Sequence, residues 1–408
     1  MKKLFALLMA VMMCVCMVSG LAETAGEAYK IGVVIPLSGN FAFFSAYFSP
    51  ILDIYVKDLN EAGGINGHPV ELVYKDNQGD ATITAQRLDE LLEENVSAVI
   101  GPFMDTCGPA AAQWATENKI PVVMCCALST EIGMANQSDY VFCAGSSAWA
   151  WAKVFANAVN AAGYESAYYV GNEGGVPDDV YNFFWEEMKK LNPDVENIGS
   201  VRLSGTESDL SSVIASIMMA DPDVVVTSLT GGGAITFISQ AVQFGLYDDS
   251  DMYGVYIEGA DHTESLADSY PCGSIWAIDW FPVNFAATQD WAEEIYNAAS
   301  FNFYMAAATI CEALKTMDFE ARFDSDKLVE ALEQIKVDSP LDGYECYYTD
   351  YSHQMIFPMY FSGSAFSEKW GNIALPDESD YTMYGAEVYP TKEEWLNKAA
   401  ELGYDLGK

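Results

Sequence analysis

Positive charge is what this 408-residue chain has least of: 19 Lys and Arg stand against 59 Asp and Glu, with three His, for a formal net charge of -40. No basic cluster interrupts the acidity. Nucleic acid and anionic lipid are therefore excluded as expected partners, because both are gripped by Lys and Arg that displace counterions. The acidity reads as solubility in a medium outside the cytoplasm rather than as a cation site. No CxxC pair and no Cys/His spacing of the zinc type occurs, so no metal is expected. GxSxG, HExxH and phosphate-loop signatures are missing, and Gly231-Gly232-Gly233 has no Lys-Ser/Thr after it. His68, His262 and His353 fall in turns or at strand starts. No catalytic residue and no cofactor are assigned, and the chain reads as a binder rather than an enzyme.

Long apolar runs are also scarce. The one at the start follows a basic Met1-Lys2-Lys3, covers Leu4 to Val18, and ends in the small residues Gly20-Leu21-Ala22. That is the pattern of a secretory signal peptide over residues 1–22, with the mature chain starting near Glu23. Cys14 and Cys16 raise a lipid anchor to the cell surface as a second reading, but the preceding Met13 and Val15 are bulky for lipoprotein processing. With 51% apolar residues, the remainder is globular and long enough for two core-bearing lobes.

Strand-length apolar runs alternate with helical patterns. Lys30 to Pro36 reads as a strand, and Tyr47, Ile51, Ile54, Tyr55 and Leu59 recur at helical spacing. Gly63-Gly64 ends that helix and Pro69 to Lys75 reads as a second strand. Helix 81–93, strand 97–101, helix 107–117, strand 121–125 and a short run at 140–143 continue the pattern. After the segment 148–161 the alternation restarts with strands 166–171, 197–203, 223–228, 252–257 and 273–278 and helices 178–191, 209–219 and 234–244. Helices are expected at 290–299, 301–317, 326–335 and 392–402. The class is α/β with parallel sheets.

IPLSG, NEAGGINGHPVEL, KDNQGD, SAVIGPF, KIPVVMCCALS, PDVVVTSLTGGGAITFISQAVQFG and DSPLDGYECYYTDYSHQMIFPMY together resemble the leucine/isoleucine/valine-binding family of extracytoplasmic solute-binding proteins that serve ABC importers. The resemblance runs from about residue 29 to about 362. It implies the type I periplasmic binding protein fold, two Rossmann-like lobes joined by three crossings near residues 145, 282 and 350. Lobe one is then 29–145 plus 283–350, and lobe two 146–282 plus 351–408, with residues after about 365 an appendage of lobe two that matches the family poorly. In that fold Cys107 comes near Cys125 and Cys126; one disulfide there, or a set of buried free thiols, are both open.

Ligands of open α/β sheets sit beyond the carboxyl ends of the strands, which selects the loops 37–45, 102–108, 126–130, 172–177, 229–233 and 258–262. The resemblance refines this. Phe44 falls where the family has an aromatic packing on the ligand. Asp105 or Thr106, Ala127 through its backbone and Ser129 through hydroxyl and N–H match a clamp for the ligand carboxylate, and Glu258 the acid that pairs with its ammonium. Thr230 and Gly174-Gly175-Val176 stand where the family commonly has Tyr. Trp149, Trp151, Trp276 and Trp280 are either an added aromatic wall or ordinary packing. The implied function is binding of a small polar solute, an aliphatic or branched-chain amino acid first, by hinge closure in an exported monomer that delivers to membrane permease subunits. Amides, urea-like compounds and aromatic acids, or a sensing role at a signalling receptor, are the alternatives.

Overall fold

The computed structural model describes residues 27–39, 41–255, 257, 265–266, 269–278, 298–340, 343–367, 372–374 and 381–406. The predicted alternation is present. β1 (Tyr29–Ile35), α1 (Ser45–Glu61), β2 (Val70–Asp76), α2 (Ala81–Glu93), β3 (Ala98–Ile100), α3 (Gly108–Asn118), β4 (Val122–Met124) and β5 (Val141–Cys143) build a five-stranded sheet of order β2-β1-β3-β4-β5. All its pairings are parallel. β3, β4 and β5 are wholly buried, as apolar strands covered on both faces must be.

A second sheet follows α4 (Ala148–Ala162). It takes β6 (Ser166–Asn172), α5 (Gly175–Leu191), β7 (Glu196–Leu203), α6 (Ser211–Ala220), β8 (Val224–Ser228), α7 (Gly231–Phe244), β9 (Asp251–Val255) and β10 (Ile275–Ile278). After α8 (Ala298–Lys315) and α9 (Ser325–Gln334), β11 (Lys336–Asp338), β12 (Glu345–Tyr348) and β13 (Met355–Ile356) form a small antiparallel sheet. β14 (Met359–Gly363) then returns antiparallel to β10. β15 (Ala365–Ser367) and β16 (Asn372–Ala374) pair with each other, and β17 (Tyr381–Met383) pairs with β14. The second sheet therefore runs β17-β14-β10-β9-β8-β6-β7. α10 (Lys392–Glu401) ends the fold, started by a capping box in which Thr391 and Glu394 satisfy each other's backbone N–H.

α4 is apolar nearly all round, and Trp149, Trp151, Val154, Phe155 and Val159 are all buried. Each such side chain contributes about 1.5–3 kcal/mol of burial. The larger core is continuous from the first sheet through α4 and α5 to β8, β9 and β14, while a smaller one lies under α6 and α7.

The chain passages between the sheets are tied to one another. Cys143 N–H donates to the His353 carbonyl (2.9 Å), and the Gln354 amide donates to the carbonyls of Gly145 (2.5 Å) and Met355 (2.8 Å). His353 is buried, stacks on Phe142, and places its ring nitrogens against the Val141 carbonyl and the Glu333 carboxylate, each at 3.0 Å. The expected crossing near 282 and most of the helix expected at 290–299 lie outside the described residues.

The terminal segment is more than an appendage to the second sheet. Lys398 pairs with Glu186 on α5 (2.9 Å), Lys153 on α4 lies 3.8 Å from Glu394, and Lys392 pairs with Asp350 (2.8 Å). Trp395 packs beside Trp149 and so close to Gly133, in the first sheet's connections, that a side chain there would lie 2.9 Å from its ring.

Among the described residues all seven cysteines are free thiols, Cys107, Cys125 and Cys126 included. The disulfide expected as one possibility is not formed. The alternative holds: burial pushes these thiols up in pKa, as it does Cys143 and Cys311.

Candidate functional site

The parallel strands of both sheets reverse their order, at β1/β3 in the first and at β6/β8 in the second. The loops beyond the carboxyl ends of these strands hold the selected residues. The first of them, 37–39, is fixed by Asp76 at the end of β2. Its carboxylate accepts from the N–H groups of Leu37 (2.9 Å), Ser38 (3.2 Å) and Gln78 (3.0 Å) and from the Ser38 hydroxyl. Partial burial works against the charge, but these hydrogen bonds win and hold Asp76 below the ordinary carboxylate range. Phe44 follows on a short helical turn, half-buried, with its ring centroid 5.0 Å from Phe103 and 6.0 Å from Phe48. Phe48 in turn stacks on Phe303 of α8 at 4.2 Å.

Asp105 and Thr106 open the turn before α3. Asp105 is half-buried, and its carboxyl is pushed up by burial and by the nearby Glu131, against the pull of the Thr106 N–H and its own. An ionised Asp105 beside this turn would oppose a ligand carboxylate, and Thr106 is exposed.

Ala127 and Ser129, by contrast, are buried and stay available. The Leu128 N–H donates to the Ser146 carbonyl and the Ala148 N–H to Leu128, which locks this loop to the start of α4. Among the described residues the N–H groups of Ala127 and Ser129 have no protein acceptor. Ser129 Oγ accepts from the Ile132 N–H (3.2 Å), and its hydroxyl hydrogen is left to donate.

The next residue makes a contact that the sequence did not suggest. The Thr130 N–H donates to Asp179 Oδ2 (2.7 Å) and its hydroxyl lies 2.9 and 3.0 Å from the two Asp179 oxygens. Thr130 belongs to the first sheet's connections and Asp179 to α5 of the second. Glu131, which starts a π-helical turn (Glu131–Ala135), lies across from Gly175, 3.6 Å from where a Cβ would stand. Burial pushes the Asp179 carboxyl up, the Thr130 bonds oppose it, and Asp178 and Glu131 add to the rise.

On the second sheet Thr230 precedes α7 in extended conformation without capping it, and its N–H donates to Asn172 Oδ1 (3.2 Å). Glu258, His262 and Trp280 lie outside the described residues. The other tryptophans pack in the core: Trp149 stacks on Phe183 (4.5 Å) and donates to Glu187, Trp151 is buried, and Trp276 stacks on Phe361. Lys, Arg and His are missing from 37–39, 101–108, 126–136, 172–177 and 229–233. A carboxylate bound there would rest on N–H groups and hydroxyls, not on a cation.

A parallel sheet and a second sheet whose strands β7, β6, β8, β9 and β10 run parallel, each with a switch point and with loops that meet at Thr130 and Asp179, define a bilobed α/β protein. The chain belongs to the periplasmic binding protein family, whose profile matches residues 28–364. Members of that family are binding proteins rather than enzymes. A stretch of 118 residues is 30% identical to the chemotactic signal transduction system substrate-binding protein BasB of Halobacterium salinarum, covering 28% of this chain and 29% of that one. The chain thus matches less than a third of that curated relative's length. Among solved structures, the leucine-, isoleucine-, valine-, threonine- and alanine-binding protein of Brucella ovis in its closed conformation superposes with TM-score 0.78 at 18% identity, over 90% of this chain and 97% of that one. A solute-binding protein of an ABC transporter from Rhodopseudomonas palustris BisB5, in complex with 3,4-dihydroxybenzoic acid, gives 0.77 at 17%, over 90% and 100%. These likenesses fix the fold. Among the described residues no helix is long and apolar enough to cross a membrane.

Proposed function

We propose that this protein is the extracytoplasmic solute-binding component of an ABC importer, exported by its N-terminal signal and handing its solute to membrane permease subunits. The solute is a small zwitterion, an aliphatic or branched-chain amino acid, enclosed between the lobes by hinge closure. The observation that carries the reading is the cradle at the end of β4. Two buried, unengaged N–H groups at Ala127 and Ser129 and a Ser129 hydroxyl with a hydrogen left to donate supply what a carboxylate needs beside loops that, among the described residues, carry no cation. Glu258 takes the ammonium, Phe44 with Phe103 walls the side chain, and Thr106 and Thr230 border the opening.

A thermal-shift panel on protein unfolded and refolded to remove carried-over solute tests this. A solute at a hundred times its dissociation constant adds about 2.7 kcal/mol, several degrees in midpoint. Shifts with aliphatic amino acids that Glu258→Gln and Ser129→Ala each abolish support the assignment. A shift confined to hydroxybenzoates or amides leaves the binding role standing and removes the zwitterion. A second reading, delivery to a signalling receptor, is favoured by the likeness to BasB. It predicts that deleting the gene abolishes taxis toward the solute while uptake continues.

A further inference from the structure

We propose that Asp179 is a positioning residue: from α5 it grips Thr130 across the two sheets, and so holds the Ala127–Ser129 backbone and keeps the two sets of loops together. The consequence for solute rests on the binding role proposed above; the grip itself does not.

The geometry is specific. Asp179 receives the backbone N–H and the hydroxyl of a single residue, at 2.7 to 3.0 Å, so both Thr130 donors are used by one carboxylate. Neither partner is serving its own helix. Thr130 makes no side-chain cap to the π-helical turn it precedes, and Asp179 is the fifth residue of α5, past the N–H groups of the first turn. No cation offsets the carboxylate among the described residues. Arg202 is taken by Asp178 (2.8 Å), and Asp178 and Glu131 repel Asp179. Among the described residues this partly desolvated carboxylate, beside two like charges, takes its hydrogen bonds from Thr130, and separating the sheets would break every one of them. Because Thr130 follows Ser129 directly, slack at Thr130 is transmitted to the N–H groups of the cradle.

The experiment is residue-resolved amide exchange and small-angle scattering on the ligand-free full chain, for wild type, Asp179→Ala, Asp179→Asn and Thr130→Val. The expected result is a protected Thr130 amide in wild type. Asp179→Ala should speed its exchange about tenfold, the equivalent of one charge-assisted hydrogen bond, with a larger radius of gyration. Asp179→Asn keeps an acceptor oxygen without the charge and should restore protection, which general loss of packing would not allow. Thr130→Val, which removes the hydroxyl alone, should fall between and serves if the alanine variant does not fold. Unchanged exchange and scattering in a folded Asp179→Ala protein would overturn the proposal. So would leucine or 4-hydroxybenzoate, if either binds, leaving both proteins at the same rate. A loosened Thr130 in a chain that no solute stabilises would support the grip and sink the solute reading instead.

Discussion

The side-chain amide of Gln354 donates to the carbonyl of Gly145, so two passages of the chain between the sheets are fastened to each other by one residue. Gly145 cannot carry a side chain there: a Cβ would lie 2.1 Å from the Cys126 carbonyl oxygen. Gly145→Ala must push the 126–129 loop away from α4. It is expected to cost about 2 kcal/mol as an overpacked site, read as a lowered melting temperature, and to weaken solute binding more than Gln354→Ala does.

Asp76 gives a signed pH dependence. Its folded pKa lies below its unfolded value, so its stabilisation is complete above the ordinary carboxylate range and is lost as pH falls through the folded pKa. The melting temperature of wild type should exceed that of Asp76→Asn at neutral pH. The gap should close between about pH 5 and pH 2. A gap constant across that range would show that the 37–39 loop does not depend on the charge.

Six of the seven described cysteines are buried and Cys272 is exposed. Since attack requires an accessible thiolate, a thiol reagent should find one fast-reacting group in the native protein, at Cys272, and the rest only in denaturant. Cys272→Ser should remove the fast phase. A shortfall of two thiols in denaturant would mean a disulfide.

Trp395 is buried against Trp149 and Gly133. Trp395→Ala is expected to cost about 3–5 kcal/mol, measured by urea unfolding. Lys398→Ala, losing ion pairs at a partly exposed site, should cost about 1 kcal/mol or less. Similar effects from the two would mean that α10 is held by charge rather than by packing.

How far the sequence showed these features differs by element. α2 was legible to both ends, because its apolar spacing starts at an Asp cap and its period is unbroken; Asp80 does accept the Ile83 N–H. α5 and α7 begin three residues before their expected starts, at Gly175 and Gly231. Gly and Pro177 read as a turn, yet both are tolerated in a helix's first turn, where no N–H has a partner. β14 and β17 were not anticipated, since antiparallel pairing of such short strands depends on neighbours far along the chain. The cradle at Ala127 and Ser129 was reached only through family likeness. Asp179 was missed, because beside Asp178 it reads as a solvated helix-start acid; its partner lies 49 residues away on another sheet.

α10 lies beyond the 364th residue, where the family profile stops, yet it leans on α4, α5 and the turn holding Gly133. If the lobes swing apart on release, that packing changes with them, and its energy enters the balance between open and shut protein. Apparent affinity scales with the fraction already competent to bind. Selection acting on α10 is thus able to retune how tightly a solute is held without altering any residue that touches it, and homologues with identical clefts but a different helix at this position should differ in affinity.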